Sequence, residues 1–586
     1  METPKRRSVP ASSPKTQPGE IARAQGRTLH SRRLGALPIL SRILERTRLQ
    51  EFLRAYLPPA DRRCRIAPAI GVTLLLKNLL IAREPLYGIG EWAARYDPAA
   101  LGFAEAQLPN WNDDRVGRCL DRLFQSDVPS LVLAVVGHVV REFDVQLDEL
   151  HNDSTTITFH GAYADASQEE PRGKDKKRTR LAITWGHNKD HRPDLKQLLY
   201  ILTITSDGGV PVYFQAASGN VADDTTHCAT WEMLRQLLGR ANFLYVADCK
   251  LASAANMGYI HQRGGRFVTV LPGTRKEDGD FRKRLAEGQV TWRVVHEVRD
   301  DKGEIVDQFS VSEPESLSAE GYRILWFQST GKAQRDQHAR LERVQRALSE
   351  LAELRAKLSS PKTRYRDEDK VATAVAAILE ERGVGRFLEV EIRERTVETH
   401  RQVGPGRPST KTRYVKEVST RFDLSVTIAH ERLAAETRSD GVFPLITNVP
   451  ALGAPEVLLA YKGQPQIEKR FSHLKTDFQV APVFLKEATR IQALLCVYFF
   501  ALLTETLLER ELRRAMEREK VDSLPLYPEG RKCRRPTTRT LLDHFEEVHR
   551  HTLVVPDQPP ITFTTELTKL QLKLLALLRM SGAYDT

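Results

Sequence analysis

The sequence predicts an α/β protein. A mixed five-stranded sheet flanked by helices is interrupted by a large inserted α+β domain. An all-helical N-terminal domain precedes it and a helical C-terminal region follows. Three observations predict this. Apolar residues recur at three- and four-residue spacing up to about residue 145, and the period changes from about 146. Segments then follow in the order strand, strand, strand, helix, strand, helix, strand. Finally, residues 272–440 differ in character from both flanks.

Residues 1–35 hold eight Lys/Arg and two Glu among Ser, Pro and Gly, and read as a disordered basic tail suited to phosphates. Residues 36–145 read as helices over Leu37–Tyr56, Ile66–Ala82 and Asp114–Phe143, with Pro58, Pro59 and Pro109 in the connections. Val145–Asp153 reads as a strand ending in polar residues, continued by Thr155–Phe159. Leu198–Thr205 and Val210–Ala216 are two more strands. Their joint, Ser206-Asp207-Gly208-Gly209, is a strong hairpin signal. Asp224–Leu238 is helical, Asn242–Asp248 is a buried strand ending in a carboxylate, Ser253–Gly264 is a helix and Phe267–Leu271 a strand. This is the order of a ribonuclease-H-like fold, with the first and fourth strands adjacent. The core spans 146–271 and resumes over 441–516. There Phe443–Thr447 reads as its last strand, and Pro465–Ala481 and Arg490–Met516 as helices.

The insertion, 272–440, shows strands at Val290–Val298, Val306–Val311 and Tyr322–Gln328, then a helical pair. Leu341, Val344, Leu348, Leu351, Leu354 and Leu358 form an apolar stripe. It lasts under three heptads, so an intramolecular hairpin is expected rather than a coiled coil between chains. Phe387–Thr399 and Arg413–Ile428 are strand-like, joined by the loop Gly404-Pro-Gly-Arg-Pro408, which reads as an exposed hairpin turn or, alternatively, as a segment that enters a minor groove. Residues 517–586 read as helical, with a basic start at Arg531-Lys-Cys-Arg-Arg535.

Composition narrows the function classes. With 41% hydrophobic and 28% charged residues, the 586-residue chain has enough apolar material for a large core. Its net charge of +12 points to a polyanionic partner. Six scattered cysteines, none at C-x-x-C spacing, exclude a disulfide framework and the usual structural zinc site. The longest apolar run, Ala493–Leu503, is 11 residues and short for a bilayer. The expectation is a soluble, cytoplasmic protein with no membrane partner.

Phosphoryl transfer on a nucleic acid needs two divalent cations about 3.5–4 Å apart. Such hard cations want carboxylate oxygens from several converging elements. Asp153 and Asp248 each end an apolar strand, and those strands are expected to be neighbours. Glu468 is the third candidate, on a helix starting near Pro465. At 100° per residue, Glu468 and Lys475 fall within about 20° of each other on an ideal helix, so a metal ligand and a phosphate contact can share a face. Asp223 and Asp224 read as helix N-caps.

The spacing Tyr461-x2-Gln464-x3-Glu468-x6-Lys475 resembles the Y-(2)-R-(3)-E-(6)-K signature. That signature marks DDE transposases of bacterial insertion sequences in the insertion-sequence-four group. Asp153 in His-Asn-Asp-Ser and Asp248 in Val-Ala-Asp-Cys match the family's first and second aspartates. Gly186–Gln197, Gly219–Asp224 and Asp440–Asn448 resemble further segments of one branch. The 220 residues between Asp248 and Glu468 leave room for the insertion that relatives carry at this point. Gln464 stands where the signature has Arg, and brings neither a charge nor a bidentate fork.

The resemblance implies that Asp153, Asp248 and Glu468 hold two Mg²⁺ ions, with Mn²⁺ as a substitute. It implies hydrolysis at transposon ends, a hairpin intermediate and strand transfer. Tyr461, Gln464 and Lys475 take the places of the family's DNA contacts. His187, Lys189 and Arg192, with His191, form a basic cluster expected to touch DNA or support the site. Asp190 and Asp194 are expected to pair with these basic neighbours. Trp292 and Trp326 are candidates for stacking on a flipped base. The partners implied are double-stranded DNA, as terminal inverted repeats and as target, and a second copy of the chain in the DNA complex. Residues 36–145 are expected to share in end recognition. Two alternatives stay open: a structure-specific metal-dependent nuclease on the same fold, and a DNA-binding derivative with an inactive site.

Overall fold

A computed structural model describes residues 22–24, 27–59, 64–166, 168–172, 178–300, 302–314, 316–360, 362–477 and 485–585. The chain divides into two compact units, Met1–Val268 with Leu459–Thr586, and Thr269–Leu458. The second unit is wider than the insertion expected at 272–440.

The first unit opens with helices, as the three- and four-residue spacing predicts, but two of the expected helices are each broken in two. Leu37–Tyr56 divides into Leu37–Thr47 and Leu49–Tyr56 because Arg48 takes a left-handed conformation at φ 52°. Asp114–Phe143 divides into Asp113–Gln125 and Val128–Glu142, bent 89° apart. Asn112 caps the start of the first helix, accepting from Arg115 N–H at 2.9 Å. The bend falls where Ser126 is extended and Asp127 caps the second helix, accepting from Ser130 N–H at 3.4 Å ahead of Pro129.

Five strands follow: β1 (Glu149–Phe159), β2 (Lys196–Thr205), β3 (Pro211–Ser218), β4 (Leu244–Ala247) and β5 (Arg266–Val270). Their order across the sheet is β3-β2-β1-β4-β5. β2 is antiparallel to both β1 and β3, while β4 is parallel to β1 and to β5. The β2–β3 turn works as read, with Gly208 and Gly209 at φ 80° and 66°. β2 is buried along its whole length, so its apolar run needs cover on both faces. The long helix Ala488–Arg518 packs against β3, Pro68–Ile81 and Asp113–Gln125. Phe499 stacks on Phe214 and Phe214 on Tyr200, at 5.2 and 5.3 Å. By length and composition this helix is apolar enough to cross a membrane, but 94% of its apolar window is buried inside the fold.

Two terminal expectations need correction. Arg27–Arg33, placed in the disordered tail, is a strand antiparallel to His549–Val554, which itself pairs with Ile561–Thr564. The C-terminal region is therefore mixed, with helices Thr538–Asp543 and Lys569–Leu577 beside those strands. Each strand is short and polar, so neither carries a readable period. The rest of the basic tail, residues 1–21 and 25–26, lies outside the described residues.

The second unit contains β6 (Arg293–Arg299), β7 (Ile305–Ser312), β8 (Arg323–Ser329), β9 (Leu388–Gln402), β10 (Tyr414–Ile428) and β11 (Val442–Thr447). β6, β7, β8 and β11 pair in that order, each antiparallel to the next. The strand read as the last of the core is thus bonded to β8, and Leu271 N–H donates to Pro444 O at 3.2 Å. Val344, Leu351, Leu354 and Leu358 of helix Thr330–Ser359 pack on Val371 and Val375 of helix Glu368–Arg382 and on Phe422 and Leu424. The leucine stripe is an internal seam, though Leu341 is exposed. Arg340 holds Asp440 bidentately at 2.6 and 2.7 Å, both buried. Trp326 is fully buried and stacked on Phe281 at 3.9 Å, so it is a core residue; Trp292 is half-buried at the edge of the same ring.

Candidate active site

β1 pairs with β4 up to Asn152 opposite Ala247. Asp153 and Asp248 are the next residues on two parallel strands, which lie about 4.8 Å apart. Asp248 leaves its strand by capping the turn Cys249–Leu251, accepting from Lys250 N–H at 3.0 Å. Asp153 accepts from Ser154 N–H at 2.7 Å and from the Lys189 ammonium at 3.2 Å. Burial pushes the Asp153 carboxyl up to about 6, Lys189 pulls it down, and the Asp248 charge adds to the rise.

Lys189 is the cation of this site. Its Nζ donates to Ser154 O at 2.7 Å and Ser154 Oγ at 2.8 Å, and pairs with Asp223 at 3.1 Å. Burial works against its charge, but Asp153 and Asp223 outweigh burial and hold the ammonium above its ordinary range. Asp223 caps no helix: neither Asp223–Thr225 nor His227–Leu238 has a side-chain cap. It is instead the residue the sequence reading missed.

Two glycines make this meeting possible. A Cβ on Gly186 would lie 1.9 Å from Gly219 O, and one on Gly219 would lie 2.1 Å from Gln197 O. Only glycine lets the Gly186–Asp194 loop approach the Gly219–Asp224 segment this closely. Asn188 then shapes the loop by accepting from Asp190 N–H and Arg192 N–H at 2.8 and 3.3 Å. Lys189 turns inward, while His187 and Arg192 are exposed. Asp194 pairs with Arg192 at 2.6 Å.

Tyr461 ends helix Ala454–Lys462, and Glu468 lies on the next helix, Pro465–Ser472. The Tyr461 hydroxyl is pushed up to about 12 by burial and by the charges of Asp248, Cys249, Glu468 and Asp153. Asp153, Asp248 and Glu468 each add to that rise, and burial is its largest cause. Arg470 anchors the Glu468 helix, bonding Glu509 at 3.1 Å and the carbonyls of Gly209 and Gly208 at 3.2 and 3.0 Å. Gln464 is buried; it accepts from His151 Nδ1 at 3.0 Å and donates to Asn152 O at 3.3 Å. It ties the start of that helix to β1, one residue from Asp153. The regular helix expected through residue 481 gives way to a π-turn over His473–Asp477, so the 100° spacing does not carry on to Lys475. Lys475 pairs with Asp190 at 2.6 Å. Residues 478–484 lie outside the described residues.

A family model described as a transposase DDE domain matches residues 148–504, more than half of the chain. The chain belongs to the transposase DDE-domain family. Residues 29–136 of this transposase match a domain of unknown function, DUF4277. Among solved structures, a cryo-EM piggyBac transposase synaptic complex with hairpin DNA is similar at 10% identity and TM-score 0.23. The match covers 48% of this chain and 60% of that one. A search of curated proteins returns no match.

The site fits a hard divalent cation. Its donors are carboxylates, and an ammonium already sits between Asp153 and Asp223. Burial lowers His227 while Asp248, Asp223 and Asp224 draw it up. A second acidic group, His473, Glu505 and Glu509, is different. Arg470 and Arg513 lie 3.1 and 3.4 Å from Glu509 and supply its countercharge.

Proposed function

We propose that this transposase cuts DNA at the ends of a mobile element and joins the freed ends to target DNA, on a ribonuclease-H-like core of the insertion-sequence-four type. Asp153, Asp248 and Glu468 hold two Mg²⁺ ions, for which Mn²⁺ substitutes. One observation carries the reading: inside the matched span Asp153 and Asp248 directly follow paired residues of adjacent parallel strands, and Gln464, at the start of the Glu468 helix, is hydrogen-bonded to His151 and Asn152 beside Asp153.

When bound, the ions activate the attacking water or 3′-hydroxyl and stabilise the leaving oxygen. The chain's own residues do the rest. With its carboxyl near 6, Asp153 is mostly ionised at neutral pH and ready for a cation. Asp223 gives Lys189 a second partner, so the ammonium would keep a countercharge with Asp153 holding a metal. Tyr461 stays protonated far above neutral pH and donates toward a phosphate oxygen. His187, Arg192 and Lys475 supply phosphate contacts from the loop and the π-turn. Gln464 acts inside the protein, because both ends of its amide are occupied. Residues 36–145 take part in end recognition. A homodimer holds the two DNA ends together, acting in the cytoplasm, as six free cysteines fit.

The test is cleavage of labelled DNA carrying the element's inverted repeats, with and without Mg²⁺. Wild type should cut only with metal and yield strand-transfer products. Asp153→Ala, Asp248→Ala and Glu468→Ala should each lose at least about a thousandfold in rate, because a ligand to the reacting centre is gone, while still binding DNA. Cutting that survives any one of these changes removes that residue from the site. Cutting without joining favours a nuclease.

A further inference from the structure

We propose that the distal half of the β9–β10 hairpin is a second DNA-binding element, a two-stranded ribbon that docks in a groove of duplex DNA through Arg407, Lys411 and Arg413. The proposal rests on DNA being the partner, and adds a surface that the catalytic carboxylates do not imply.

The ribbon is long and its two halves differ. β9 and β10 pair without a break from Leu388 opposite Ile428 to Gln402 opposite Tyr414. Near the base, Leu388, Phe422 and Leu424 are buried, and Val390, Ile392 and Val426 pack against the same core. From Glu394 outward almost every residue is exposed. Fifteen paired residues at about 3.3 Å each span roughly 50 Å, and the outer half reaches roughly 25 Å beyond its support. A two-stranded hairpin alone in water is marginal. This one also exposes Val403, Tyr414, Val415 and Val418, each more than half accessible. A surface of this kind has a use when something covers it.

Charge selects the occupant. Residues 395–420 carry six Lys/Arg against two Glu. Both acids are taken: Glu398 pairs with Lys416 at 2.7 Å, and Glu417 with Arg401 at 3.5 Å. Arg407, Lys411 and Arg413, all around the tip, have no ion pair among the described residues. The tip is also shaped in advance. Gln402 Nε2 donates to Gly404 O and Gly406 O at 3.2 and 2.9 Å, and Ser409 N–H donates to Thr412 Oγ1 at 2.7 Å. A major groove about 12 Å wide admits a two-stranded ribbon, and unpaired guanidinium and ammonium groups at its tip match phosphates and base edges.

The experiment measures binding of the full-length protein to a labelled random-sequence duplex of about 30 base pairs by fluorescence anisotropy, without metal, over increasing salt. The variant is Arg407→Ala/Lys411→Ala/Arg413→Ala, compared with Arg407→Lys/Arg413→Lys. The slope of log affinity against log salt should fall by up to about 0.9 per cation removed, and affinity near 100 mM salt by about tenfold or more. The lysine variant should keep the wild-type slope. If wild type binds and the alanine variant matches it in slope and affinity, the ribbon proposal falls and the transposase reading stands. If wild type does not bind duplex at all, both fall. If the alanine variant binds DNA normally but loses self-association in sedimentation, the occupant is a second copy and the proposal is overturned.

Discussion

The carboxylate edge of the sheet and the tip of the β9–β10 ribbon both carry charged side chains, under opposite conditions. At the sheet edge, charges are partly buried and engaged: Lys189 serves Asp153, Asp223 and Ser154 together. At the tip, Arg407, Lys411 and Arg413 are exposed and have no ion pair among the described residues. Burial makes each polar contact expensive to lose, and solvent makes it cheap. The first region is therefore built to hold one geometry. The second is built to meet something it does not contain.

Glycine gives the sharpest test of that contrast. Gly186→Ala forces a Cβ to within 1.9 Å of Gly219 O, and backbone cannot yield as a side chain tip does. We expect a loss of about 3 kcal/mol or more in unfolding free energy, read by urea denaturation. It should also release Lys189 from Asp153. Wild-type stability in this variant would mean that the two segments are not held so close.

The next effect concerns pH and has an unusual sign. Asp153 rises from 3.8 to about 6 on folding, so the folded state holds this proton more tightly than the unfolded chain. The charged form is the disfavoured one. The penalty is absent below 3.8, grows as pH rises toward 6, and is complete above it. Two units correspond to about 3 kcal/mol at most, less whatever solvent screens. In metal-free buffer, Asp153→Asn should gain stability relative to wild type between pH 4 and pH 7. The difference should shrink when Mg²⁺ is added. A variant that instead loses ground as pH rises would overturn the burial argument.

Gln464→Ala comes third. It leaves His151 Nδ1 and Asn152 O buried without their partners, at a cost of about 1–3 kcal/mol. Because Gln464 ties the Glu468 helix to β1, cleavage should slow while DNA affinity stays the same. A drop in affinity with an unchanged rate would return Gln464 to the DNA contacts.

These three residues also show where the sequence could be read. Asp248 was legible as a strand end because a carboxylate follows an apolar run; Asp153 was read the same way but lies inside β1, which continues to Phe159, and strand order places the two strands side by side. The helix that carries Glu468 was legible from Pro465 in its first turn. Asp223 was not, because an Asp before a helix is ordinarily a cap; only the closeness of Gly186 and Gly219 turns it toward Lys189. Gln464 looked like a weakened phosphate clamp, since spacing shows a helix position but not which side is buried. The π-turn at His473–Asp477 escaped for a related reason: a hundred degrees per residue assumes one kind of helix. The ribbon strands were legible from their two-residue period. Their lack of cover was not, because exposure depends on what the rest of the fold leaves unfilled.

The smallest effect belongs at the ribbon tip and completes the contrast. Gly404 has a left-handed φ of 95°, and a Cβ there meets nothing within 4 Å. Gly404→Ala pays conformational strain alone, in an exposed turn held by a few hydrogen bonds. Global stability should change by less than about 1 kcal/mol, since local opening relieves the strain without unfolding the core. Amide exchange should then quicken from Val403 to Arg413 and stay unchanged in β1 and β4. Were the whole fold to lose as much as with Gly186→Ala, the tip would be as tightly held as the sheet edge. The two regions would then not differ in the way their burial implies.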